Sequence, residues 1–202
     1  MAQYYLIKSI LIACGISDYR MIPLFKIALI IAILHLHNLN GEVFQKKTVE
    51  PDAFRYRNKA HNFSLYLPKA WALTEGKNGA AIMAVRPAMT PKEAFRENVS
   101  VVVQRIRPGI SLKEWIKENI PQLKKALFGF YMTEQGVLKP GRGEGGWIIY
   151  GYENNRRALK LLQNFVLLNG YAYTITGAAS SLTFSRYRPI FQAMADSLKV
   201  GE

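Results

Sequence analysis

The chain has 202 residues, half of which are hydrophobic, and its formal charge at pH 7 is +13. This length suits one domain with a full hydrophobic core and leaves residues to spare. Cys14 is the only cysteine in the sequence, so an internal disulfide is excluded and stability must come from packing. The positive charge suits an anionic partner, such as a lipid headgroup, a nucleic acid or an acidic protein.

The basic residues that could contact such a partner are dispersed as singles and pairs. A solvated protein surface gives the same pattern, so this interpretation stays open beside the functional one. The candidate contacts for an anionic partner are Lys124, Lys125, Arg156, Arg157, Arg186 and Arg188.

Residues 1–41 differ from the rest of the chain and are interpreted as a signal peptide or an N-terminal anchor. They hold two apolar runs, neither of which reaches the roughly 18 to 20 residues that a spanning helix needs. In the second run, Arg20 and Lys26 lead into an apolar stretch, as the charged and apolar regions of a secretory signal do. We therefore expect export to the periplasm or anchoring in the envelope. Two alternatives stay open: a true start at Met21, and lipidation at Cys14 in a short lipobox-like sequence.

Residues 42–61 are polar and are interpreted as a linker, so the predicted domain spans residues 62–202. Its first three predicted strands have the sequences FSLYLP, AAIMAVRP and NVSVVVQR. The first strand alternates apolar and polar residues up to Pro68, and the third places Val101 and Val103 on one face.

A helix is predicted to begin after Ser111, the first residue of a capping box. In this box the Ser111 hydroxyl accepts a hydrogen bond from one unpaired amide, and the Glu114 carboxylate accepts one from another. Pro121 is expected to kink or restart the helix. The apolar residues recur at helical spacing and are Leu112, Trp115, Ile116 and Ile120.

Strand character returns over residues 128–138, and a second helix is predicted close to the C-terminus. Ser180 or Ser181 can cap this helix, and Pro189 is expected to kink it. The apolar residues expected to face the sheet are Leu182, Tyr187, Ile190, Phe191, Met194 and Leu198.

Between the helices, residues 147–178 are predicted to form three antiparallel strands. Asn169 and Gly170 supply the two positive-φ positions of a type I′ turn, so Leu168 should lie opposite Tyr171. The pairs that follow are Val166 with Tyr173, Phe165 with Thr174, Asn164 with Ile175 and Gln163 with Thr176.

The preceding turn is predicted at Asn154 and Asn155, since asparagine tolerates the left-handed conformation. That turn would place Glu153 opposite Arg156 as a cross-strand ion pair. The pairs that follow are Tyr150 with Leu159, Ile148 with Leu161 and Trp147 with Leu162.

On these pairings both faces of the three strands carry large apolar side chains. A sheet that is apolar on both faces must be covered on both faces, and the two predicted helices are the available cover. One face holds Trp147, Ile149, Leu162, Val166, Leu168 and Tyr173. The other holds Ile148, Tyr150, Leu159, Leu161 and Phe165.

Residues for familiar chemistries are sparse beyond the leader. His61 is the only histidine there and no serine lies in a G-x-S-x-G elbow, which argues against a Ser-His-Asp hydrolase. No cluster of Cys and His suits zinc. We interpret the i,i+4 glutamate pairs Glu93 and Glu97, and Glu114 and Glu118, as solvated helix surface. No catalytic, cofactor-binding or metal-binding residue is predicted.

Two other patterns have plain interpretations. The glycine-rich segment 141–146 leads into a strand, whereas a phosphate-binding loop leads into a helix. Tyrosines beside Arg156 and Arg157 could stack bases on an exposed sheet, but helices on both faces would block access to them. Nucleic acid is therefore not expected as a partner, and the tyrosines are predicted to be core residues. They are Tyr150, Tyr152, Tyr171 and Tyr173.

Several of these features follow one another in a characteristic order over residues 62–200. The first is a Phe-x-Leu-x-Leu-Pro strand with Trp71 three residues after the proline, followed by the NVSVVV strand and the Ser-Leu-capped helix. A strand bearing Gln163, the Asn-Gly hairpin, a Tyr-Thr-Ile-Thr strand and a closing helix come next. Together they resemble the PsbP/DcrB/Mog superfamily, and the bacterial envelope branch, DcrB-like, is nearest in arrangement.

The resemblance implies an α+β fold, an αβα sandwich whose central antiparallel sheet is covered by helices on both faces. It also implies a binding or assembly module without catalytic residues. We therefore expect an exported, non-enzymatic envelope protein that docks on an acidic protein or an anionic membrane surface. The alternative is a small-ligand or lipid carrier with a pocket between sheet and helix.

Overall fold

The computed structural model describes residues 52–76, 79–91, 93, 95–138, 144–154 and 157–201. The strands in these ranges are β1 (Ala53–Asn58), β2 (Phe63–Pro68), β3 (Ala72–Glu75), β4 (Ile82–Val85), β5 (Asn98–Arg105), β6 (Tyr131–Val137), β7 (Glu144–Asn154), β8 (Arg157–Leu168), β9 (Tyr171–Ser180) and β10 (Lys199–Val200). The helices are α1 (Leu112–Ala126) and α2 (Phe184–Asp196). The predicted signal peptide or anchor, with Cys14, lies outside the described residues.

The strands form two antiparallel sheets. The larger has seven strands in the order β3-β4-β5-β9-β8-β7-β6, and the smaller has three in the order β1-β2-β10. Two helices with two antiparallel sheets make an α+β fold, as the sequence predicts.

The hairpin between β8 and β9 has the predicted register. Asn169 and Gly170 have φ values of 51° and 76°, the positive values that a type I′ turn needs. Leu168 pairs with Tyr171, and the other four predicted pairs are also present. The Asn-Gly turn therefore predicts the register of this hairpin without error.

The predicted register between β7 and β8 is wrong by two residues. The ladder ends at Asn154 paired with Arg157, so Glu153 lies opposite Ala158 rather than Arg156. Arg156 itself lies outside the described residues. Side chains alternate with a period of two, so a shift of two leaves every side chain on its predicted face. For that reason the hydrophobic pattern could not distinguish the two registers.

The two faces of the central strands bury two separate hydrophobic clusters. Along β8, Leu161 and Phe165 belong to one cluster, and Leu162 and Val166 belong to the other. The first cluster includes the buried residues of α1, and the second includes those of α2. The face assignment made from the sequence is confirmed for these strands.

Helix α1 begins as predicted. Ser111 is its N-cap, and the reciprocal hydrogen bonds with Glu114 complete the capping box. The helix continues through Pro121 to Ala126 as one element.

Helix α2 begins later than predicted. Its N-cap is Thr183, and Ser180 belongs to the end of β9 instead. Leu182 therefore precedes the helix in a turn and is 96% exposed, so the prediction that it faces the sheet is wrong. The other apolar residues predicted for this helix pack in or against the α2-side cluster, and they are Tyr187, Ile190, Phe191, Met194 and Leu198.

Helix α2 approaches the sheet closely at Gly177. A Cβ atom added there would lie 2.2 Å from Cγ of Phe191, a separation that real Cβ atoms do not adopt. The Phe191 ring thus occupies the space that a side chain at position 177 would need.

Strand β1 lies within the segment interpreted as a linker. Tyr56 and Asn58 are buried, whereas Arg57 between them is exposed. Only one face of this strand is covered, so its overall composition is polar and the sequence pattern hid it. Among the described residues, no helix is long and apolar enough to cross a membrane.

Candidate docking surface

One end of the seven-stranded sheet gathers loops from most of the chain. A continuous row of cross-strand partners marks this end: Ala72, Val85, Asn98, Ala178, Leu161, Tyr150 and Met132. The last turn of α1 and the turn before α2 reach the same end. We call the surface formed there the basic end, and its residues are Met89, Lys124, Lys125, Phe128, Arg157, Leu182 and Arg186.

Backbone hydrogen bonds join the loops of the basic end. The amide of Glu153 donates to the carbonyl of Phe128, and the amide of Ser181 donates to that of Ala158, each at 2.9 Å. Glu153 and Ala158 are cross-strand partners. The segments after α1 and before α2 therefore flank the last residues of the β7-β8 ladder on its two sides.

Apart from Arg156, which lies outside the described residues, the predicted cations divide between this surface and a half-exposed ion pair with Glu134. Lys124 and Lys125 are exposed in the last turn of α1, where positive charge also stabilises the helix dipole. Arg186 is exposed in the first turn of α2, with its guanidinium 5.8 Å from the ring centroid of Tyr187. Arg157 starts β8 and is partly buried.

Arg188 is different, because its guanidinium is held by Glu134 of β6. Two hydrogen bonds of 3.0 and 2.8 Å join its terminal nitrogens to the two carboxylate oxygens. This bidentate pair ties α2 to the edge strand of the sheet. We therefore do not include Arg188 in the basic end.

A buried cluster of charges that was not predicted from the sequence fixes the loop between β4 and β5. Arg86 is 8% exposed and donates from Nε to Oε2 of Glu97 at 2.6 Å, and it also pairs with Glu93. Glu97 is 3% exposed, so its interpretation as solvated helix surface is wrong. Burial opposes the charge of Arg86, but the bonds to the two glutamates outweigh it and raise the pKa of Arg86.

The sequence did carry a signal for this cluster. Val85 pairs with Asn98, so the next residues outward, Arg86 and Glu97, lie opposite each other with opposite charges. Pairing the predicted strands in register would have found them.

The cluster also connects this loop to α2. Thr183 Oγ1 donates to Oε1 of Glu97 at 2.7 Å, and the amide of Met89 donates to Oε2 of Glu93 at 2.7 Å. The loop carrying Met89 is thereby bonded to the turn carrying Leu182.

Three large apolar side chains of the basic end are more than half exposed. Leu182 is 96% exposed, Phe128 is 78% exposed and Met89 is 54% exposed. Phe128 was predicted within a strand, but it lies in the turn between α1 and β6. Exposed apolar groups beside cations are the feature of this surface that composition alone did not predict.

Comparison with known protein structures identifies the fold of this chain. No protein-family model matches the chain, and no curated protein matches its sequence. The solution structure of cyanobacterial PsbP from Synechocystis sp. PCC 6803 matches with a TM-score of 0.56 at 13% identity, covering 78% of this chain and 98% of that one. The Saccharomyces cerevisiae Ran-binding protein Mog1p matches with a TM-score of 0.55 at 10% identity, covering 76% and 97%. This chain has the PsbP/Mog-like fold.

A third structure with the PsbP/Mog-like fold comes from a cell-envelope context. LpqN, involved in cell envelope biogenesis of Mycobacterium tuberculosis, matches with a TM-score of 0.58 at 12% identity, covering 74% of this chain and 90% of its own. Identities this low establish a shared fold, so function must be argued from the site itself.

A cavity between the sheet and α2, lined by described residues, is small. It has a volume of about 20 Å³ and is lined by Leu138, Asn164, Val166, Ala195, Asp196, Leu198 and Val200. That volume holds about one water molecule, whereas small-molecule pockets occupy roughly 300 to 1,000 Å³.

The tyrosines considered for base stacking are mostly core residues, as predicted. Tyr150, Tyr152 and Tyr173 are at most 4% exposed, and only Tyr171, in the turn region, reaches 42%. Burial raises the pKa of the Tyr150 and Tyr152 hydroxyls.

Polar residues within the sheet are also structural. Gln163, part of the PsbP-like pattern, is fully buried and donates from Nε2 to Thr176 Oγ1 at 3.0 Å. His61 is exposed in the turn between β1 and β2. In the part of the chain that the structure describes, no three His, Cys, Asp or Glu side chains group as metal ligands would.

Proposed function

We propose that this protein is an exported, non-catalytic binding or assembly protein of the cell envelope that docks through its basic end on an anionic partner. The observation that carries the proposal is the gathering of cations and exposed apolar side chains at one end of the sheet, on segments joined by backbone hydrogen bonds. Lys124, Lys125, Arg157 and Arg186 supply the charge. Structures of the same fold support a binding role, since Mog1p binds Ran and LpqN acts in envelope biogenesis.

The packing supports the choice of surface. The hydrophobic clusters on the two faces of the sheet each include residues of one helix, which favours the αβα sandwich. In such a sandwich the faces are occupied and the ends of the sheet remain accessible. Docking at an end therefore needs no rearrangement of the core.

The cavity argues against the carrier alternative. A ligand carrier would need an enclosed volume many times the roughly 20 Å³ found between sheet and α2. Docking of a macromolecular surface needs no such cavity.

The first experiment measures binding of residues 42–202 to an acidic surface. The probes are immobilised poly-glutamate and vesicles that contain phosphatidylglycerol, each titrated with salt. Binding should weaken as salt rises, because exposed charges are screened over a Debye length of about 8 Å at physiological ionic strength.

A charge reversal locates the contact. The double variant Lys124→Glu, Lys125→Glu should bind more weakly, by about fivefold or more for each lysine replaced. The matched control reverses Lys113 and Lys117, exposed residues in the first half of the same helix. Equal loss in the two double variants would reject the basic end as the contact, and salt-independent binding would reject the anionic partner.

Export is tested separately by cell fractionation with N-terminal sequencing. We expect the protein in the envelope or periplasm, either processed after the apolar segment or anchored by it. Recovery from the cytoplasm with Met1 intact would refute export.

A further inference from the structure

We infer that the partner of the basic end is an anionic lipid surface, into which Leu182, Phe128 and Met89 insert while the neighbouring cations bind lipid phosphates. This inference rests on the proposed function and narrows its partner from any anionic surface to a bilayer.

The spacing of the apolar side chains is the first argument. Phe128, Glu153, Ala158 and Ser181 lie side by side through two backbone hydrogen bonds and one cross-strand pair. Neighbouring strands are about 4.8 Å apart, so the segments carrying Phe128 and Leu182 are separated by roughly 15 Å. The side chains of Phe128 and Leu182 are therefore isolated from one another.

Such isolation suits a bilayer better than a protein. The centre of a protein interface is a contiguous, well-packed apolar patch surrounded by a polar rim. A bilayer instead takes up each apolar side chain separately, and it adds an attraction for every Lys or Arg near its anionic surface. The basic end carries separate exposed apolar groups and four cations, with Glu153 as an exposed carboxylate among them, and this mixture is closer to the second arrangement.

The apolar loops are held in place, so insertion requires little ordering. Arg86 bonds both Glu93 and Glu97, and these glutamates fix the Met89 amide and the Thr183 hydroxyl. Leu182 precedes Thr183 directly. The side chains thus project from bonded turns, which lowers the entropy lost on binding.

The path of the chain is the third argument. The carbonyl of Asp52, where the described chain begins, accepts from the amide of Lys69 at 2.8 Å. Lys69 is two residues before Trp71, whose ring lies 6.5 Å from that of Tyr187 in the first turns of α2. The chain therefore enters the fold on the side of the basic end, and the preceding 51 residues include the segment interpreted as a signal peptide or an N-terminal anchor.

The test uses the full chain reconstituted in vesicles, with Cys14→Ser to remove the native thiol. An environment-sensitive fluorophore is attached at Leu182→Cys, and quenching by brominated acyl chains reports insertion at that site. Tyr171→Cys, at the opposite end of the sheet and also exposed, is the matched control. Both positions are read in the same anchored protein, so insertion of the N-terminal segment affects them equally.

We expect strong quenching at position 182 in phosphatidylglycerol vesicles, about fivefold weaker quenching in phosphatidylcholine vesicles, and little at position 171 in either. Lys124→Glu with Lys125→Glu should bring the signal at position 182 close to that in phosphatidylcholine. A second label at Phe128→Cys should behave like the first.

Other outcomes overturn the inference in distinguishable ways. If poly-glutamate binds with the predicted salt dependence but position 182 is not quenched, the partner is an acidic protein and the proposed function survives. Equal quenching at positions 182 and 171, or in both lipids, rejects docking by the basic end. Loss of both polymer binding and quenching rejects the proposed function as well.

Discussion

Arg86 shows how a charged residue can be a core residue when its partners are built around it. Its side chain pairs with Glu93, within the loop between β4 and β5, and with Glu97 at the end of that loop. Burying an ion pair yields little net stability, but removing one partner leaves a charge in a poorly solvated site. Arg86 and its glutamates therefore specify the loop conformation on which Met89 and Thr183 depend.

Replacing Arg86 by Met should destabilise the protein by about 3 to 5 kcal/mol, because Glu93 and Glu97 lose their counter-charge. Urea unfolding followed by circular dichroism measures the change. The control is Arg107→Met, which removes the exposed partner of Glu118 at 2.8 Å and should cost no more than about 1 kcal/mol. Similar losses in the two variants would contradict a buried role for Arg86.

Tyr56 gives a prediction for alkaline pH. Burial, together with the hydrogen bond that its hydroxyl donates to Glu75, raises the pKa of Tyr56 to about 12. The folded state holds this proton more tightly than the unfolded chain, whose tyrosine pKa is about 10. The resulting stability is present below pH 10 and is lost as pH rises from 10 toward 12.

The measurement is the unfolding midpoint between pH 9 and pH 12. Between pH 10 and pH 12, the unfolding midpoint of Tyr56→Phe should decline less steeply than that of the unmodified chain. Tyr66→Phe, which removes an exposed hydroxyl from the neighbouring strand, is the matched control. A decline that Tyr56→Phe leaves unchanged would assign the alkaline loss to other groups.

At the scale of elements, local signals set the boundaries that the sequence predicts well. The capping box at Ser111 fixes the start of α1, and Asn169 with Gly170 fixes the β8-β9 register. The β7-β8 register was missed because its hydrophobic pattern fits equally well after a shift of two. The start of α2 was missed because Thr183, its N-cap, makes no side-chain capping bond.

Replacing Ser111 by Ala should destabilise the protein by about 1 kcal/mol, because the backbone amide of Glu114, in the first turn of α1, loses its acceptor. Thermal unfolding detects a change of this size. Lys113→Ala, an exposed change in the same turn, is the control and should alter stability by less than about 0.5 kcal/mol. A neutral Ser111→Ala variant would mean that tertiary packing alone holds the start of α1.

At the scale of the whole molecule, the burial of apolar side chains on both faces of the central strands was predictable, but the basic end was not. Alternating apolar residues along β8 require two clusters whatever the register. The cations were also recognised in the sequence. Their gathering with Leu182 and Phe128 depends on where the ends of two helices meet the sheet, and no local pattern encodes that.

Phe165 and Val166 test the two-sided packing. They are neighbours in sequence on opposite faces, and they are 1% and 5% exposed. Phe165→Ala should cost about 3 to 5 kcal/mol, because the ring also contacts Trp115 with centroids 4.7 Å apart. Val166→Ala should cost somewhat less, and both losses should appear in thermal unfolding.

Val137→Ala is the control, since this side chain is 78% exposed on the edge strand. It should change the free energy of unfolding by no more than about 0.5 kcal/mol. If either Phe165→Ala or Val166→Ala were equally silent, the sheet would have one open face, and a stacking or binding role for that face would return.

The pairing of β2 with β10 constrains the order in which the protein can be assembled. Phe63 pairs with Val200, and the amide of Gly201 donates to the carbonyl of Asn62. Strand β2 therefore gains its second neighbour only when β10 pairs with it. Contacts so distant in sequence form slowly, because a loop of nearly the whole domain must close first. During synthesis, β2 consequently lacks one of its two neighbouring strands until residues 199–200 have been made. A chaperone that binds the growing chain would therefore meet β2 with one edge still unpaired.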